Sequence, residues 1–212
     1  MISVLMPSRG RPKDCKEAYD SCIKTAQGEV EILVYLDEED PSLKNYTVPH
    51  TVGRPLRCAQ ANRELLKVAK GDLFFFGSDD QRWETPGWDL KFAELMPEDG
   101  LSIIYPRDFP GGQKSMNPCW SRKWADLFGH YPEYFVHFGP DMWLVDIARR
   151  AGTLINAKDI LIVHRKIKDE THSRVRQNGD ANFASKKIIE TESKRQEIAE
   201  KIKSMRMRAA PQ

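Results

Sequence analysis

The feature that most constrains the fold is an alternation of apolar runs and helical segments over the first 80 residues. Short apolar runs occupy residues 2–6, 30–36 and 73–76, and each ends in polar residues. Between them, residues 13–26 and 56–72 carry apolar side chains at helical spacing. This order predicts an α/β domain with a mostly parallel central sheet that is flanked by helices.

The pattern is less regular beyond residue 83. We predict a short helix over residues 84–96, a strand over 101–109, a loop over 110–120, a helix over 140–152 and one or two short strands over 153–165. A last helix is expected over residues 181–208. The chain would then consist of a main domain, 1–165, and a basic C-terminal loop and helix, 166–212, packed on or extending from it.

Composition indicates a globular protein without a membrane span. None of the 212 residues lies in a run of roughly 18 consecutive apolar residues, and the first residues lack a signal peptide's charged region and cleavage site. We therefore expect a cytoplasmic protein that does not bind membranes. The cysteines show no metal-ligand spacing, so reduced thiols are expected; they are Cys15, Cys22, Cys58 and Cys119.

Charge is distributed unevenly along a chain whose net charge is only +2. Residues 155–212 contain 14 Lys and Arg against 8 Asp and Glu, whereas the preceding residues carry a net negative charge. Such a basic segment can bind an anionic partner such as nucleic acid, although a solvated helix of mixed charges gives the same count.

Acidic side chains end two of the predicted strands. Asp37 follows the second apolar run, and Asp79 and Asp80 follow the third. Ligands of open α/β sheets bind beyond the carboxyl ends of the strands. Neighbouring carboxylates there would suit Mg²⁺ or Mn²⁺, and these ions bind diphosphates. A solvated turn is the alternative for Asp79 and Asp80.

Five segments, in this order, resemble the GT-A fold glycosyltransferases, especially the family 2-like group. The segments are SVLMPSRGRP, VYLDEED, RCAQANRELLKVAKGDLFFFGSDD, PGWD and FGPDMWLVDIARRAG. The resemblance covers residues 1–165 and implies a catalytic domain with a Rossmann-like, nucleotide-diphospho-sugar transferase fold. In its size, its basic tail and its lack of a membrane anchor, the chain is also similar to compact bacteriophage glycosyltransferases that modify DNA.

The resemblance implies a nucleotide-sugar donor, with a UDP-sugar as the first candidate. A carboxylate accepts hydrogen bonds from ribose hydroxyls, and a guanidinium group can bind phosphate through two N–H donors. Asp37 matches the family's acid that binds the base or the ribose. The other matched donor positions are Pro7, Ser8, Arg9, Arg11, Arg57 and Asn62.

The resemblance also implies a metal site. The family's Asp-x-Asp motif corresponds here to Ser78, Asp79 and Asp80, so a serine occupies its first position. Asp80 is expected to bind Mn²⁺ or Mg²⁺, and Asp79 to assist or to bind the donor's ribose or sugar. His164 matches a late metal-binding histidine, with a hydrogen-bonded core histidine as the alternative. His172 is a weaker second candidate.

Two further positions concern the acceptor. Asp141 matches the acid that acts as general base in inverting members, and a carboxylate there could remove the proton of an attacking hydroxyl. The alternative is that its charge only stabilises the start of a helix. Trp88, in the PGWD turn, is expected to contact the acceptor through its aromatic face.

The sequence leaves the identity of the acceptor open. A hydroxymethylated pyrimidine in DNA, a glycan and a small molecule are the candidates for a glycosyltransferase. A sugar-phosphate nucleotidyltransferase is a second enzyme class, but it would require a GxGTR-like loop, and the loop here reads PSRGRP. A nucleic-acid-binding module that uses the basic tail is the alternative from outside the enzymes.

Overall fold

The computed structural model describes residues 1–108, 117–165 and 180–209. In this part of the chain one eight-stranded sheet has the order β3-β2-β1-β4-β7-β6-β8-β5. The strands are β1 (Ile2–Ser8), β2 (Val30–Asp37), β3 (Thr51–Gly53), β4 (Leu73–Phe76), β5 (Gln81–Trp83), β6 (Ile103–Arg107), β7 (Cys119–Ser121) and β8 (Leu154–His164).

Helices cover both faces of the sheet. They are α1 (Pro12–Thr25), α2 (Cys58–Val68), α3 (Trp88–Leu95), α4 (Arg122–Phe128), α5 (Pro140–Ala151), α6 (Asp180–Glu190) and α7 (Glu192–Ala209), with a 3-10 turn at Leu43–Asn45. The predicted α/β architecture with flanking helices is therefore confirmed. None of the helices in the described ranges has the length and apolar character that a membrane crossing requires.

The sheet is mostly parallel, as predicted, and only β5 and β7 run against the other six strands. Pairings β1–β2, β2–β3, β1–β4 and β6–β8 are parallel, whereas β7 runs antiparallel to both β4 and β6, and β5 runs antiparallel to β8. Two reversals, at β4–β7 and β7–β6, restore the original direction. The strands β1, β2, β4, β6 and β8 therefore end at the same edge of the sheet, and this edge carries the predicted site.

The core holds most of the aromatic side chains, and one of them corrects a prediction. Trp88 is 0% exposed, and its ring packs near Trp83 and Phe92 in the core on the α1 and α3 side of the sheet. Its Nε1 donates a hydrogen bond to the carbonyl oxygen of Cys22, 3.2 Å away. The prediction that Trp88 contacts an acceptor is wrong, because the helix that begins at Trp88 turns the ring inward.

The C-terminal segment forms two helices instead of the single one predicted, with a break at Thr191. Helix α7 packs on α5 through the buried side chain of Arg195, whose Nε donates to Asp146 Oδ2 at 2.6 Å. The Arg195 guanidinium also lies 5.7 Å from the centre of the Trp143 ring. Near the end of α7, Arg206 forms an ion pair with Asp99. The described part of the tail is thus attached to the main domain.

Candidate functional site

The first part of the candidate site is the loop that follows β1. Arg9 forms an ion pair with Asp37 at the end of β2. Ser8 Oγ donates a hydrogen bond to Asp79 Oδ2 at 2.7 Å, and Arg11 Nη1 donates to Asp79 Oδ1 at 3.1 Å. One short loop therefore contacts the acids at the ends of two other strands, as the parallel order β2-β1-β4 requires.

Two residues that the sequence interpretation missed complete this loop. Tyr46 OH lies 3.0 Å from Ser8 Oγ and accepts a hydrogen bond from the backbone N–H of Arg11 at 3.1 Å. Asp40 accepts a hydrogen bond from the backbone N–H of Gly10 at 2.7 Å. Asp40 stands in the acidic run after Asp37, but the sequence holds no signal that a tyrosine beyond the next turn folds back onto the loop.

Burial sets the protonation behaviour of Asp79. Its side chain is 5% exposed, and removal from water raises the pKa of Asp79 to about 6, because the positive charge of Arg11 compensates only in part and the neighbouring charge of Asp80 raises the pKa further. Both of its carboxylate oxygens already have protein partners. Asp79 is therefore oriented toward the loop after β1.

Asp80 and His164 meet at the same edge of the sheet. His164 Nε2 lies 3.0 Å from Asp80 Oδ1, and Ser78 Oγ donates to the same oxygen. Burial alone would raise the pKa of Asp80, but the hydrogen bonds and charge of His164, together with Ser78 and Arg11, lower it. Asp80 is thus an ionised carboxylate at neutral pH. The backbone N–H of His164 is held by Asp108 Oδ1 at 2.9 Å.

Asp141 lies in the first turn of α5, where Gly139 and Pro140 set the start of the helix. Gly139 has φ +106°, and a Cβ atom there would lie 2.4 Å from the Phe135 ring, so only glycine fits. Burial raises the pKa of Asp141 to about 6 against the lowering effect of hydrogen bonds from the backbone N–H groups of Met142, Asp141 and Gly139. The side chain itself stays partly exposed.

Cys58, at the start of α2, lies within the electrostatic reach of Asp79, Asp141 and Asp80. Burial, and then the negative charges of Asp79, Asp141 and Asp80, raise the pKa of the Cys58 thiol to about 12, so all three carboxylates act on this one side chain. The next residue, Ala59, donates its N–H to the carbonyl of Val136 at 3.0 Å. This bond ties α2 to the segment that leads into α5.

Arg57 and Asn62, the two residues near α2 that were predicted to bind the nucleotide-sugar, differ in position. Arg57 precedes the first turn of α2, is partly exposed, and its backbone N–H donates to Gln60 Oε1 at 3.1 Å. Asn62 is buried; its Nδ2 donates to Cys58 Sγ at 3.6 Å, and its Oδ1 has no hydrogen-bond partner among the described residues. Pro7 is partly buried near the end of β1.

The described residues offer few protein ligands for a metal. Within the described ranges no group of three or more His, Cys, Asp or Glu side chains is arranged to hold an ion. Asp80 and His164 provide one oxygen and one nitrogen donor that converge, which fits Mn²⁺ when phosphate oxygens complete its coordination. His172 lies outside the described residues.

Comparison with known proteins identifies the fold. No protein-family model matches the sequence, and no curated protein matches it. The mannosyltransferase PcManGT from Pyrobaculum calidifontis, solved with GDP-Man and Mn²⁺, is similar with a TM-score of 0.68 at 12% identity, over 100% of this chain and 76% of that one.

Two further structures support the same fold. Glucosyl-3-phosphoglycerate synthase from Mycobacterium tuberculosis, solved with Mn²⁺, UDP and phosphoglyceric acid, gives a TM-score of 0.61 at 16% identity, over 92% of this chain and 78% of its own. S. aureus TarS, solved with UDP, gives 0.59 at 14% identity, over 76% and 60%. The protein has the GT-A fold, and the fold class expected from the sequence is confirmed.

Proposed function

We propose that the protein is a metal-dependent glycosyltransferase that moves a sugar from a nucleotide-sugar, in the first place a UDP-sugar, to a hydroxyl acceptor. The observation that carries this proposal is that Asp37, Asp79, Asp80 and His164 lie at one edge of a GT-A sheet, with Asp141 near enough to act on the same Cys58 thiol as Asp79 and Asp80. Structures of this fold bind GDP-Man or UDP together with Mn²⁺.

The donor would lie along the ends of β1, β2 and β4. Asp37 is 3% exposed and pairs with Arg9. When a donor binds, we expect the carboxylate of Asp37 to accept hydrogen bonds from the nucleoside. The guanidinium groups of Arg9 and Arg11 would then bind the diphosphate through charge-assisted hydrogen bonds.

Asp80 and His164 are the residues that would hold Mn²⁺ or Mg²⁺. Asp80 is ionised, and His164 Nε2 lies 3.0 Å from its Oδ1, so the two potential ligand atoms are neighbours, and a bound ion would replace the hydrogen bond between them. A bound divalent ion would offset the charge that develops on the departing diphosphate. Asp108 supports this arrangement, because its carboxylate holds the backbone of His164 in place.

Asp141 is the proposed general base. Its pKa of about 6 lies near neutral pH, where the carboxylate is mostly ionised but still basic enough to take a proton from a hydroxyl. Its position in the first turn of α5, fixed by Gly139 and Pro140, would aim it at an acceptor that approaches the sugar from outside the sheet edge.

The proposal also concerns the chemical identity of the acceptor. A hydroxymethylated pyrimidine in DNA is the first candidate, by analogy of build with compact bacteriophage enzymes, and a glycan or a small molecule is the alternative. The tail supports DNA less than its charge suggested, because several of its cations are paired with protein acids. These are Lys186, Lys187, Arg195, Lys203 and Arg206.

The proposed function is tested by a nucleotide-sugar screen. Thermal shift with UDP- and GDP-sugars, each with and without Mn²⁺, should identify a donor that stabilises the protein only when the metal is present. Hydrolysis of that donor should then disappear in Asp80→Ala. It should persist in Asp159→Ala, which removes an exposed acid from β8. Metal-independent hydrolysis, or no stabilisation by any donor, would contradict the proposal.

A further inference from the structure

We propose that Tyr46 is a positioning residue for the donor. Its hydroxyl holds the loop of Ser8, Arg9, Gly10 and Arg11 in the conformation that presents both arginines to a nucleoside diphosphate. This inference rests on the proposed function, because it assigns a role within the same site. Nothing in the sequence marks Tyr46, which lies beyond the acidic run after β2 and outside every recognised motif.

The contacts of Tyr46 form a directed chain of hydrogen bonds. The backbone N–H of Arg11 donates to Tyr46 OH at 3.1 Å, and Ser8 Oγ donates to Asp79 Oδ2 at 2.7 Å. Since Ser8 has given its only hydroxyl proton to Asp79, Tyr46 is the donor in their 3.0 Å contact, and its single proton is shared with Asp40 Oδ2 at 3.3 Å. The chain therefore runs from Arg11 through Tyr46 and Ser8 to Asp79.

A second contact connects this chain to the loop after β2. Tyr46 OH lies 3.3 Å from Asp40 Oδ2, the oxygen that accepts the backbone N–H of Gly10 at 2.7 Å. Asp40 is itself fixed, because its Oδ1 accepts hydrogen bonds from the backbone and the hydroxyl of Ser42. Tyr46 thus contacts the loops after β1 and β2 directly, and it reaches Asp79 after β4 through Ser8.

The buried environment makes this arrangement rigid. Burial raises the pKa of Tyr46 to about 12, so the hydroxyl keeps its proton across the physiological range. The ring of Tyr46 packs among apolar residues on the α1 side of the sheet, while only the hydroxyl reaches the loop. Hydrogen bonds within a dry network strengthen one another, and the loss of one leaves others unsatisfied.

The loop conformation has a direct consequence for Arg9 and Arg11. Both side chains are paired with acids of the site, Arg9 with Asp37 and Arg11 with Asp79. Without the Tyr46 hydroxyl, the N–H of Arg11 and the hydroxyl of Ser8 each lose a partner, and the loop gains alternative conformations. A donor would then have to order the loop on binding, which lowers its affinity without altering the step at Asp141.

The test compares Tyr46→Phe with Tyr35→Phe. Each variant keeps its ring and loses one buried hydroxyl, since Tyr35 OH donates to the carbonyl of Arg54 at 2.8 Å. We expect Tyr46→Phe to raise the donor KM about tenfold with kcat nearly unchanged, which corresponds to about 1.4 kcal/mol of lost binding. Tyr35→Phe should leave KM within about twofold, although both variants lose a buried hydrogen bond and some stability.

Hydrogen exchange gives a readout that does not need activity. Amides of residues 8–11 should exchange faster in Tyr46→Phe than in the wild type or in Tyr35→Phe, because the N–H of Arg11 has lost its acceptor. Ser8→Ala breaks the same chain one bond further along and should reproduce the rise in KM.

The outcomes separate this inference from the proposed function. Unchanged exchange at residues 8–11 in Tyr46→Phe, or faster exchange with an unchanged donor KM, would overturn the role of Tyr46 while the wild-type activity stands. A wild-type protein that neither binds nor hydrolyses any nucleotide-sugar overturns the proposed function and, with it, the donor-positioning role. Faster exchange together with a raised KM supports the inference.

Discussion

His164 Nε2 and Asp80 Oδ1 lie 3.0 Å apart because the antiparallel pairing of β8 with β5 places His164 directly opposite Gln81. The residue before Gln81 is Asp80, and its carbonyl accepts the backbone N–H of Arg165 at 2.9 Å. The backbone ladder, rather than the side chains alone, therefore brings the proposed metal-binding pair together.

Removal of His164 should lower the affinity for the metal rather than the stability of the fold. In His164→Ala we expect the Mn²⁺ concentration for half-maximal donor hydrolysis to rise at least about tenfold, because even groups that only support metal ligands change affinity by about 10–100-fold. The measurement is a Mn²⁺ titration of hydrolysis. His50→Ala, which removes an exposed histidine, is the matched control, and an unchanged titration in His164→Ala would return His164 to a purely structural role.

The pH dependence of turnover should report the ionisation of Asp141. A general base works only when ionised, and burial raises the pKa of Asp141 to about 6, so kcat should fall as the pH drops through about 6 and level off above it. Asp79 has a similar pKa, but its protonation acts on the loop that binds the donor and should appear in kcat/KM. Asp141→Asn should lose most turnover at every pH while still binding the donor with Mn²⁺. A variant that keeps the wild-type pH profile would exclude Asp141 as the base.

Arg195 should contribute strongly to stability. The side chain is 3% exposed and bonded to Asp146 Oδ2, so its removal leaves a carboxylate with one partner fewer and a gap beside Trp143. Loss of one partner costs about 3–5 kcal/mol in a fully buried ion pair, but Asp146 is partly exposed and keeps Arg150, so we expect about 1.5–3 kcal/mol, the range for a hydrogen bond to a charged group. Denaturant unfolding of Arg195→Ala should show a loss of this order, whereas Lys194→Ala, exposed on the same helix, should unfold like the wild type. Equal stability of both variants would show that α7 is only loosely attached.

The DNA hypothesis can be tested on tail cations that no described acid pairs with. Arg206 is unsuitable, since its ion pair with Asp99 would be lost as well. We expect neutralisation of Lys194 and Arg208, both exposed, to lower affinity for hydroxymethylated DNA and to reduce its salt dependence, while donor hydrolysis stays constant. Transfer should also be easier on single-stranded or mismatched sites, because a base must leave the stack to be reached. Indifference to both changes would favour a glycan or a small-molecule acceptor.

The longer elements could be predicted from the sequence, because their periodicity extends over many residues. The helices α1, α2, α3 and α5 and the strands β1, β2, β4 and β6 lie where their patterns placed them. The three-residue strands β3, β5 and β7 could not be found in this way, since so short a strand has no measurable alternation and is defined only by its neighbour. The insertion of antiparallel β7 between β4 and β6 was missed for the same reason.

The residues of the candidate site likewise divide into those that a sequence pattern predicts and those that it does not. Asp37, Asp79, Asp80 and Asp141 end or begin recognisable elements, so their positions followed from the motifs that contain them. Tyr46 belongs to no pattern, and its role depends on a chain reversal through the 3-10 turn at Leu43–Asn45. Trp88 shows the converse error: Pro86 in the turn before it is exposed, but the first residue of α3 already faces the core.

The pairing of Asp146 with Arg195 has a consequence for the order in which parts of the protein can fold during synthesis. Chains emerge from the ribosome N-terminus first, and their domains generally fold as they emerge. The helix that carries Asp141 will leave the ribosome well before α7, so its outer surface stays uncovered until nearly all described residues have been synthesised. The nascent chain should therefore expose the surface of α5 around Trp143 and Asp146, and cover it only as translation nears the end of α7.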